Sequence, residues 1–219
     1  MKRATLLLLS LACGALRAHG QDAPIPAPSV DSPLAKNRGA RSIVVAAGCF
    51  WGIQAVFQHV RGVESAVSGY SGGAAWTANY QVVSLGMSGH AESVQVTYDP
   101  SRITLGQLLR VFFSVAHDPT QKNRQGPDAG TQYRSAIFYS DAEQQRIARA
   151  YIAQLDQSGV FGRKIATEVA PLAAFYAAEA YHQDYATRHP DAPYIRINDA
   201  PKVANLRAAF PDLYVGAKE

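Results

Sequence analysis

Residues 43–60 pass directly from one regular pattern of apolar side chains to another, and this constrains the fold more than any other feature of the sequence. Residues 43–47 form a short apolar run typical of a buried strand, and Gly48 ends it. Apolar side chains then recur with the spacing of one helical face, at Ile53, Val56, Phe57 and Val60. A strand that leads directly into an amphipathic helix predicts a sheet with helices packed against it.

Strand and helix patterns continue to alternate along the chain. Residues 63–69 predict a second strand, and alternation predicts a third whose one face carries Glu92, Val94, Val96 and Tyr98. Thr104 and Gln107 form a capping box at the start of a second apolar helical stripe. A fourth strand is predicted from the alternation of Ser135, Ile137 and Tyr139. The order β-α-β-β-α-β is the ferredoxin-like pattern.

Further elements are predicted after this core. Ser140 is expected to cap a helix that runs to Leu155, and residues 165–169 suggest one more strand. Helices are predicted over 174–185 and 201–210. The predicted fold class is therefore α+β, a two-layer sandwich with a ferredoxin-like core sheet, added helices and a C-terminal extension, in one domain over 42–219.

Composition excludes several classes of protein. The chain has 219 residues, of which 47% are hydrophobic, so disorder throughout the chain is excluded. Two cysteines are too few for a disulfide scaffold or a Cys-rich zinc fold. No apolar run reaches the ~18 residues that a membrane-spanning helix needs.

The first twenty residues have the pattern of a secretory signal peptide. Lys2 and Arg3 precede a short apolar run, and small residues flank His19 at a cleavage site that would leave Gln21 as the first residue. Residues 1–20 hold three basic residues and no acid, so their removal lowers the formal net charge from +4 to +1. A charge this small gives no argument for nucleic-acid binding. We expect a periplasmic or secreted protein.

Residues 21–41 contain four prolines among small residues and predict an extended, disordered linker. Cys13 lies within the signal peptide, and the residues before it lack the leucine of a lipoprotein signal. After cleavage, Cys49 is the one thiol left. A lone thiol in an oxidising compartment is either buried and inert or retained for its reactivity.

Cys49 stands at the predicted junction of a strand with a helix, between Gly48 and Gly52. Free backbone N–H groups at a helix N-terminus favour an anion, so this position suits a reactive thiolate. A small buried cysteine would fit the same position. The two glycines favour the reactive alternative because they permit a sharp bend and the close approach of a ligand.

The residues around Cys49 resemble the peptide methionine sulfoxide reductase A family. The resemblance extends over about residues 42–210 and rests on six motifs in the family's order: Gly48-Cys49-Phe50-Trp51-Gly52, Gly69-Tyr70-Ser71-Gly72-Gly73, Gly89-His90-Ala91-Glu92, His117-Asp118-Pro119-Thr120, residues 124–135, and Tyr181-His182-Gln183-Asp184-Tyr185. It implies an enzyme that reduces the S epimer of methionine sulfoxide, free or in proteins.

Glu92 is the candidate general acid. Attack by a thiolate at the sulfoxide sulfur requires the oxygen to leave with a proton. Glu92 shares the predicted core face of its strand with Val94 and Val96, where burial would raise the pKa of its carboxyl and keep it protonated. A solvated glutamate at the end of a strand is the alternative, and the resemblance favours the acid.

The resemblance implies further site residues. Tyr80, Tyr133 and Tyr194 match tyrosines that surround the sulfoxide, and Asp128 matches an aspartate that contacts the substrate backbone. Phe50 and Trp51 would hold the S-methyl group. No metal site is expected, and the histidines at positions 90, 117 and 182 are interpreted as structural hydrogen-bonding residues.

This chain differs from many members of that family at the C-terminus. Ile195 stands where a resolving cysteine often follows the tyrosine, and no cysteine follows Cys49. A sulfenic acid formed on Cys49 must therefore react with an external thiol, such as a thioredoxin-like protein or a glutathione- or glutaredoxin-like reductant, or dithiothreitol in vitro. No bound cofactor, nucleic acid or membrane span is expected, and a monomer is predicted.

Two other functions fit the lone cysteine. A cysteine hydrolase or acyltransferase would use Cys49 with His90 or His117 as base and Asp118 or Asp128 as the orienting acid. A non-enzymatic binding module would use Phe50 and Trp51 to hold a methyl-bearing ligand and would need no reactive thiol.

Overall fold

Six of the eight strands form the main sheet of the structure, a computed structural model that describes residues 25–216. The strands are β1 Arg41–Ala47, β2 Val63–Ser71, β3 Ala91–Tyr98, β4 Arg124–Gln125, β5 Asp128–Ala129, β6 Ser135–Tyr139, β7 Glu168–Pro171 and β8 Phe175–Ala177. The main sheet has the order β7-β6-β1-β3-β2-β8, and β4 and β5 form a separate two-stranded ribbon.

The α-helices of the described residues are α1 Phe50–Gln58, α2 Tyr80–Val83, α3 Leu105–Val111, α4 Ala142–Ser158, α5 Tyr185–Arg188 and α6 Ala200–Ala209. A π-helical turn, Phe112–Ala116, extends α3, and a second one, Ile195–Asp199, leads into α6. Asp141, rather than the predicted Ser140, caps α4. Within residues 25–216 no helix is long and apolar enough to cross a membrane.

The central strands confirm the predicted fold class. β1 lies between β6 and β3, and β3 pairs with β2, all antiparallel, which is the ferredoxin-like arrangement of the first four predicted strands. The predicted capping box at Thr104 and Gln107 begins α3. In the chain, α1 stands between β1 and β2, and α3 stands between β3 and β6. These two helices form the second layer of the α+β sandwich.

β1 is buried on both faces, and this places the following residues deep in the molecule. Val45 lies opposite Val94 of β3 and Ile137 of β6, and all three belong to the large core beneath the helices. Val44 and Ala46 point to the opposite face and join a smaller apolar cluster. Because Glu92 shares a strand face with Val94, the carboxyl faces the helical layer, as predicted.

The predicted helix over 174–185 is wrong. Phe175–Ala177 instead forms β8, which pairs with residues 69–71 at the edge of β2. The remainder of the segment holds one short 3₁₀-helix, Ala180–His182, and turns up to α5. The alanine-rich composition favours a helix only weakly, and hydrogen bonding to the free edge of the sheet outweighs that preference.

The prediction of a disordered linker is wrong for residues 25–41. Ile25 is buried in the large core, and β1 already begins at Arg41. Side chains of α4 satisfy carbonyl groups of this proline-rich arm: the Tyr151 hydroxyl donates to Pro26 O at 2.7 Å, and the Gln154 amide donates to Ala27 O at 2.8 Å. Prolines lack an N–H donor, but their carbonyl groups can still accept hydrogen bonds. The predicted signal peptide and Cys13 lie outside the described residues.

Asp31 joins this arm to the start of α3. Its carboxylate accepts hydrogen bonds from the Gly106 N–H at 2.9 Å and from the Thr104 hydroxyl. We expect Asp31→Ala to lower the free energy of unfolding by ~1 kcal/mol, as loss of a helix cap does. Urea denaturation measures the change, and Asp191→Ala, at an exposed loop position, is the control. Equal stability of the two variants would show that the arm is not docked.

Candidate active site

Cys49 lies between the end of β1 and the first residue of α1, as the sequence predicted. Gly48 has φ +86°, a left-handed conformation that glycine adopts readily, and a Cβ at this position would lie 2.5 Å from the Gln125 side chain. The chain therefore turns sharply before the thiol. Cys49 is 8% exposed, so the sulfur lies just beneath the surface.

Glu92 lies directly beside this turn. Its Oε2 accepts a hydrogen bond from the Phe50 backbone N–H at 3.1 Å, and the side chain is 2% exposed. Burial raises the pKa of the carboxyl to about 8, the Phe50 N–H partly offsets this, and the negative charges of Asp128 and Asp199 add to the increase. Glu92 is thus a protonated acid at neutral pH.

The first turn of α1 does not favour a resting thiolate, contrary to the expectation from the sequence. Burial raises the pKa of the Cys49 thiol well above its usual value, and negative charge on Asp199, and on Glu92 once it is ionised, raises it further. A hydrogen bond from the Trp51 N–H and the positive charge of Lys202 act in the opposite direction. The Phe50 N–H, the first of the helix, donates to Glu92 rather than to the sulfur. The effect of burial on the thiol pKa is therefore larger than the stabilisation of a thiolate by the helix N-terminus.

Three predicted tyrosines lie around the thiol and the acid. The charge of Cys49 acts on Tyr80, Tyr133 and Tyr194, and burial is the main cause that raises the pKa of each phenol. All three therefore remain hydrogen-bond donors throughout the physiological pH range. The Tyr194 hydroxyl donates to the carboxylate of Asp128, so this predicted substrate-binding residue is held by a tyrosine of the same site.

Phe50 and Trp51 form an aromatic wall beside the thiol. Phe50 is fully buried, and Trp51 is half-buried and stacks on Tyr185 with ring centroids 3.9 Å apart and an interplanar angle of 13°. The edge of Tyr194 contacts Trp51, with ring centroids 6.0 Å apart. Such a wall can enclose a small apolar group such as a methyl.

His182 fixes the orientation of the indole. The Trp51 Nε1–H donates to His182 Nδ1 at 3.2 Å, which leaves the ring proton on Nε2. Burial lowers the pKa of His182, so the ring is neutral. The sequence indicated a structural hydrogen-bonding role for His182 but gave neither its partner nor the role of Tyr185. The sequence indicated a role for His182 and Tyr185 only through their position in the motif at residues 181–185.

The geometry disfavours a hydrolase that uses His90 or His117 as its base. His90 accepts from the Gly73 N–H and bonds Ala74 O, whereas His117 bonds Phe112 O and, at 2.7 Å, the Ser135 hydroxyl. Both nitrogens of each ring are therefore occupied by groups other than Cys49. Burial also lowers the pKa of His117 to about 3.

The described residues also contain no group of three His, Cys, Asp or Glu side chains that could hold a metal ion. What the site does contain is a thiol, a protonated carboxyl, several phenol donors and an aromatic wall. This set can attack a polarised atom, protonate a departing oxygen and bind a small apolar substituent.

Comparison with known proteins identifies chains of the same kind. The family model for peptide methionine sulfoxide reductase matches residues 41–213. Peptide methionine sulfoxide reductase MsrA 2 of Mesorhizobium japonicum is 57% identical over 176 residues, which cover 80% of this chain and 90% of the relative. The protein of the same name from Synechocystis is 49% identical over 206 residues, 93% of this chain and 96% of the relative.

Solved structures agree with the sequence matches. Reduced Mxr1 from Saccharomyces cerevisiae superposes with a TM-score of 0.63 at 33% identity, and the match covers 74% of this chain and 94% of that one. Methionine sulfoxide reductase A of Corynebacterium diphtheriae gives a TM-score of 0.61 at 36% identity, over 79% and 87% of the two chains. This chain belongs to the peptide methionine sulfoxide reductase family, which confirms the resemblance first seen in its sequence motifs.

Proposed function

We propose that Cys49 is the nucleophile and Glu92 the general acid with which this chain reduces methionine sulfoxide. The reaction follows from the family, and the chain is an oxidoreductase. The observation that supports the two roles is the hydrogen bond between the Glu92 carboxyl and the Phe50 N–H, because it holds the buried acid next to the residue that carries the thiol.

The balance of the reaction requires such an acid. The Cys49 thiolate attacks the sulfoxide sulfur and forms an S–S bond, and once the oxygen is protonated the S–O bond breaks. Hydroxide then attacks the Cys49 sulfur, the S–S bond breaks, the thioether leaves, and Cys49 carries the oxygen as a sulfenic acid. The substrate sulfur gains two electrons and Cys49 loses two. An oxide ion is a poor leaving group, so a proton must reach the oxygen, and a carboxyl with a pKa of about 8 holds one at neutral pH.

The other predicted residues bind the substrate in this proposal. Phe50 and Trp51 hold the S-methyl group, and the phenols of Tyr80 and Tyr133 donate to the sulfoxide oxygen. The Tyr194–Asp128 pair orients the substrate backbone. Because the methyl wall, the acid and the nucleophile occupy fixed positions, one arrangement of the substituents at a chiral sulfur fits best, and we propose the S epimer.

An external thiol completes the cycle. No cysteine follows Cys49 in the sequence, so the sulfenic acid condenses with one external thiol and a second thiol releases Cys49, giving a disulfide and water. A thioredoxin-like protein and a glutathione- or glutaredoxin-like system are the candidate reductants.

We also propose that the enzyme is exported. The support is the basic start, apolar run and small-residue cleavage site of residues 1–20. Oxidised proteins of the cell envelope, and free methionine sulfoxide there, would then be the substrates.

Replacing Glu92 tests the acid. We expect Glu92→Gln to lower kcat/KM for an S-sulfoxide by about 10²–10⁴-fold, with a smaller effect on substrate binding, because the amide cannot donate an acidic proton. Glu168→Gln, at an exposed edge-strand position, is the control. Steady-state kinetics with resolved S and R epimers measures both the rate and the epimer preference. A rate within a few-fold of the unmodified enzyme would assign the proton to another group.

The raised pKa of Glu92 also predicts a pH dependence of stability. The folded state holds a proton that the unfolded chain, with a carboxyl pKa near 4.5, gives up. The stabilisation from the bound proton is complete below pH 4.5 and is lost as the pH rises through about 8, by at most ~1.4 kcal/mol per pH unit. The Glu92→Gln variant has no such proton to lose. Its free energy of unfolding, relative to that of the unmodified protein, should therefore increase between pH 4.5 and about pH 8.

Urea denaturation at pH 5.5 and pH 7.5 in a Cys49→Ser background measures this difference without oxidation of the thiol. The same comparison for Glu168→Gln, which removes a surface carboxyl that pairs with Arg134, is the control. A constant difference for Glu92→Gln would mean that Glu92 is ionised in the folded protein.

A one-cysteine cycle predicts a trapped intermediate. One equivalent of S-sulfoxide without reductant should yield one methionine per enzyme and a sulfenic acid on Cys49, which dimedone labels. Peptide mass spectrometry locates the adduct, and Cys49→Ser, which should be inactive, is the control. A covalent dimer through Cys49, or product without modification of Cys49, would contradict this cycle.

A further inference from the structure

Residues 72–90 connect β2 to β3 along one border of the candidate active site, and we call them the rim segment. The segment carries Tyr80 and ends at the start of β3, the strand that holds the proposed acid. The Thr131 hydroxyl donates to Gly86 O at 2.6 Å, which joins the rim segment to the short 3₁₀-helix Thr131–Tyr133. The rim segment is therefore continuous with the site itself.

Polar groups hold the rim segment from its inner side. The Tyr80 N–H donates to Glu179 Oε1 at 2.9 Å, and the buried His90 ring bonds Ala74 O at 3.0 Å. The other oxygen of Glu179 accepts from the Tyr70 hydroxyl at 2.8 Å, so this carboxylate is also turned inward. Because the backbone is anchored, a ligand on the outer side would not lose affinity to the ordering of the segment.

Large apolar side chains cover the outer side of the rim segment. Trp76, Leu85 and Met87 are 81%, 67% and 86% exposed. Among residues 25–216 seven large apolar side chains are exposed, and three of them are in this one segment. Single exposed apolar residues are normal at a surface, but a concentration of them beside a site marks a binding surface.

Tyr181 adds a fourth exposed side chain beside the rim segment, with 55% of it accessible to solvent. Its ring centroid lies 4.2 Å from that of His182, which in turn lies 4.5 Å from that of Tyr80. His182 also accepts from the Trp51 indole. The exposed apolar side chains therefore extend to the aromatic wall beside the thiol.

The rim segment carries no ionised side chain. No Asp, Glu, Lys or Arg occurs between Glu64 and Glu92, and both ring nitrogens of the buried His90 are occupied. Such a surface offers no salt bridge to a charged partner, whereas it can bury neutral apolar groups. Its chemistry therefore fits an apolar stretch of polypeptide.

The reaction of the family supplies such a partner. Methionine side chains are among those most often buried in folded proteins. Oxidation makes the side chain polar and disrupts the core around it. A core methionine sulfoxide is thus exposed together with the apolar residues that flank it in the unfolded chain.

We propose that the rim segment and Tyr181 bind the apolar residues that flank a methionine sulfoxide in an unfolded polypeptide. Trp76, Leu85 and Met87 contact the flanking side chains, while the sulfoxide itself enters the site. The surface thereby favours sulfoxides in unfolded proteins over free methionine sulfoxide. The inference rests on the proposed function.

Three S-sulfoxides that differ in their flanks test this, with dithiothreitol as reductant: N-acetylmethionine sulfoxide, a peptide with the sulfoxide among Gly and Ser, and a peptide with it among Leu, Val and Phe. The unmodified enzyme should have its lowest KM for the third. Trp76→Ser/Met87→Ser should raise that KM by about five- to tenfold with kcat unchanged, because apolar area buried on binding is lost. The other two KM values should change by less than about twofold.

Leu34→Ser/Val160→Ser removes two exposed apolar side chains outside the rim segment and is the matched control, with all three KM values unchanged. An equal rise of KM for all three substrates would show that Trp76→Ser/Met87→Ser disturbs Tyr80. No rise for any of them would show that the substrate does not contact the rim segment. Either result overturns the proposal. So does a dimer in sedimentation velocity that Trp76→Ser/Met87→Ser dissociates, because a second copy of the chain would then occupy the surface.

N-acetylmethionine sulfoxide separates this proposal from the proposed function, because it has no flanking side chains. Full activity of Cys49→Ser on this substrate would refute the proposed function. An inactive Cys49→Ser enzyme, together with KM values of the unmodified enzyme that are independent of the flanks, would refute only the role of the rim segment.

Discussion

The hydrogen bond from the Phe50 N–H to the Glu92 carboxyl joins the two halves of the site. It connects β3, which supplies the acid, to the first turn of α1, which follows the thiol. Both elements are fixed by β1, because β1 pairs with β3 and leads through Gly48 into α1. The ferredoxin-like order of the strands therefore places the proposed nucleophile and the proposed acid together.

Burial has opposite consequences for the two groups that this bond brings together. It keeps the Glu92 carboxyl protonated and able to act as an acid, but it also disfavours the thiolate of Cys49. The hydrogen bond from the Trp51 N–H acts in the opposite direction on the thiol, but burial is the larger influence.

Local pattern was sufficient to predict the parts of the site that depend on neighbours in sequence. Glycine after an apolar run located the turn at Cys49, and two-residue alternation placed Glu92 on the core face of its strand. The stack of Trp51 on Tyr185 and the docking of Asp199 on Gly52 depend on segments more than a hundred residues apart in the chain. Pairing of β8 with the edge of β2 overrode a helical composition for the same reason, and docking of the proline-rich arm on α4 overrode its predicted disorder.

The C-terminal segment shows how a one-cysteine site differs physically from one with an internal relay. A resolving cysteine must move to the oxidised sulfur, so its segment cannot be held firmly. Here Ile195 is buried at the corresponding position and Asp199 is packed against α1, which ties the segment to the helix that it would otherwise approach and leave. In the proposed cycle, an external thiol would reach Cys49 through its small exposed surface, beside the aromatic wall.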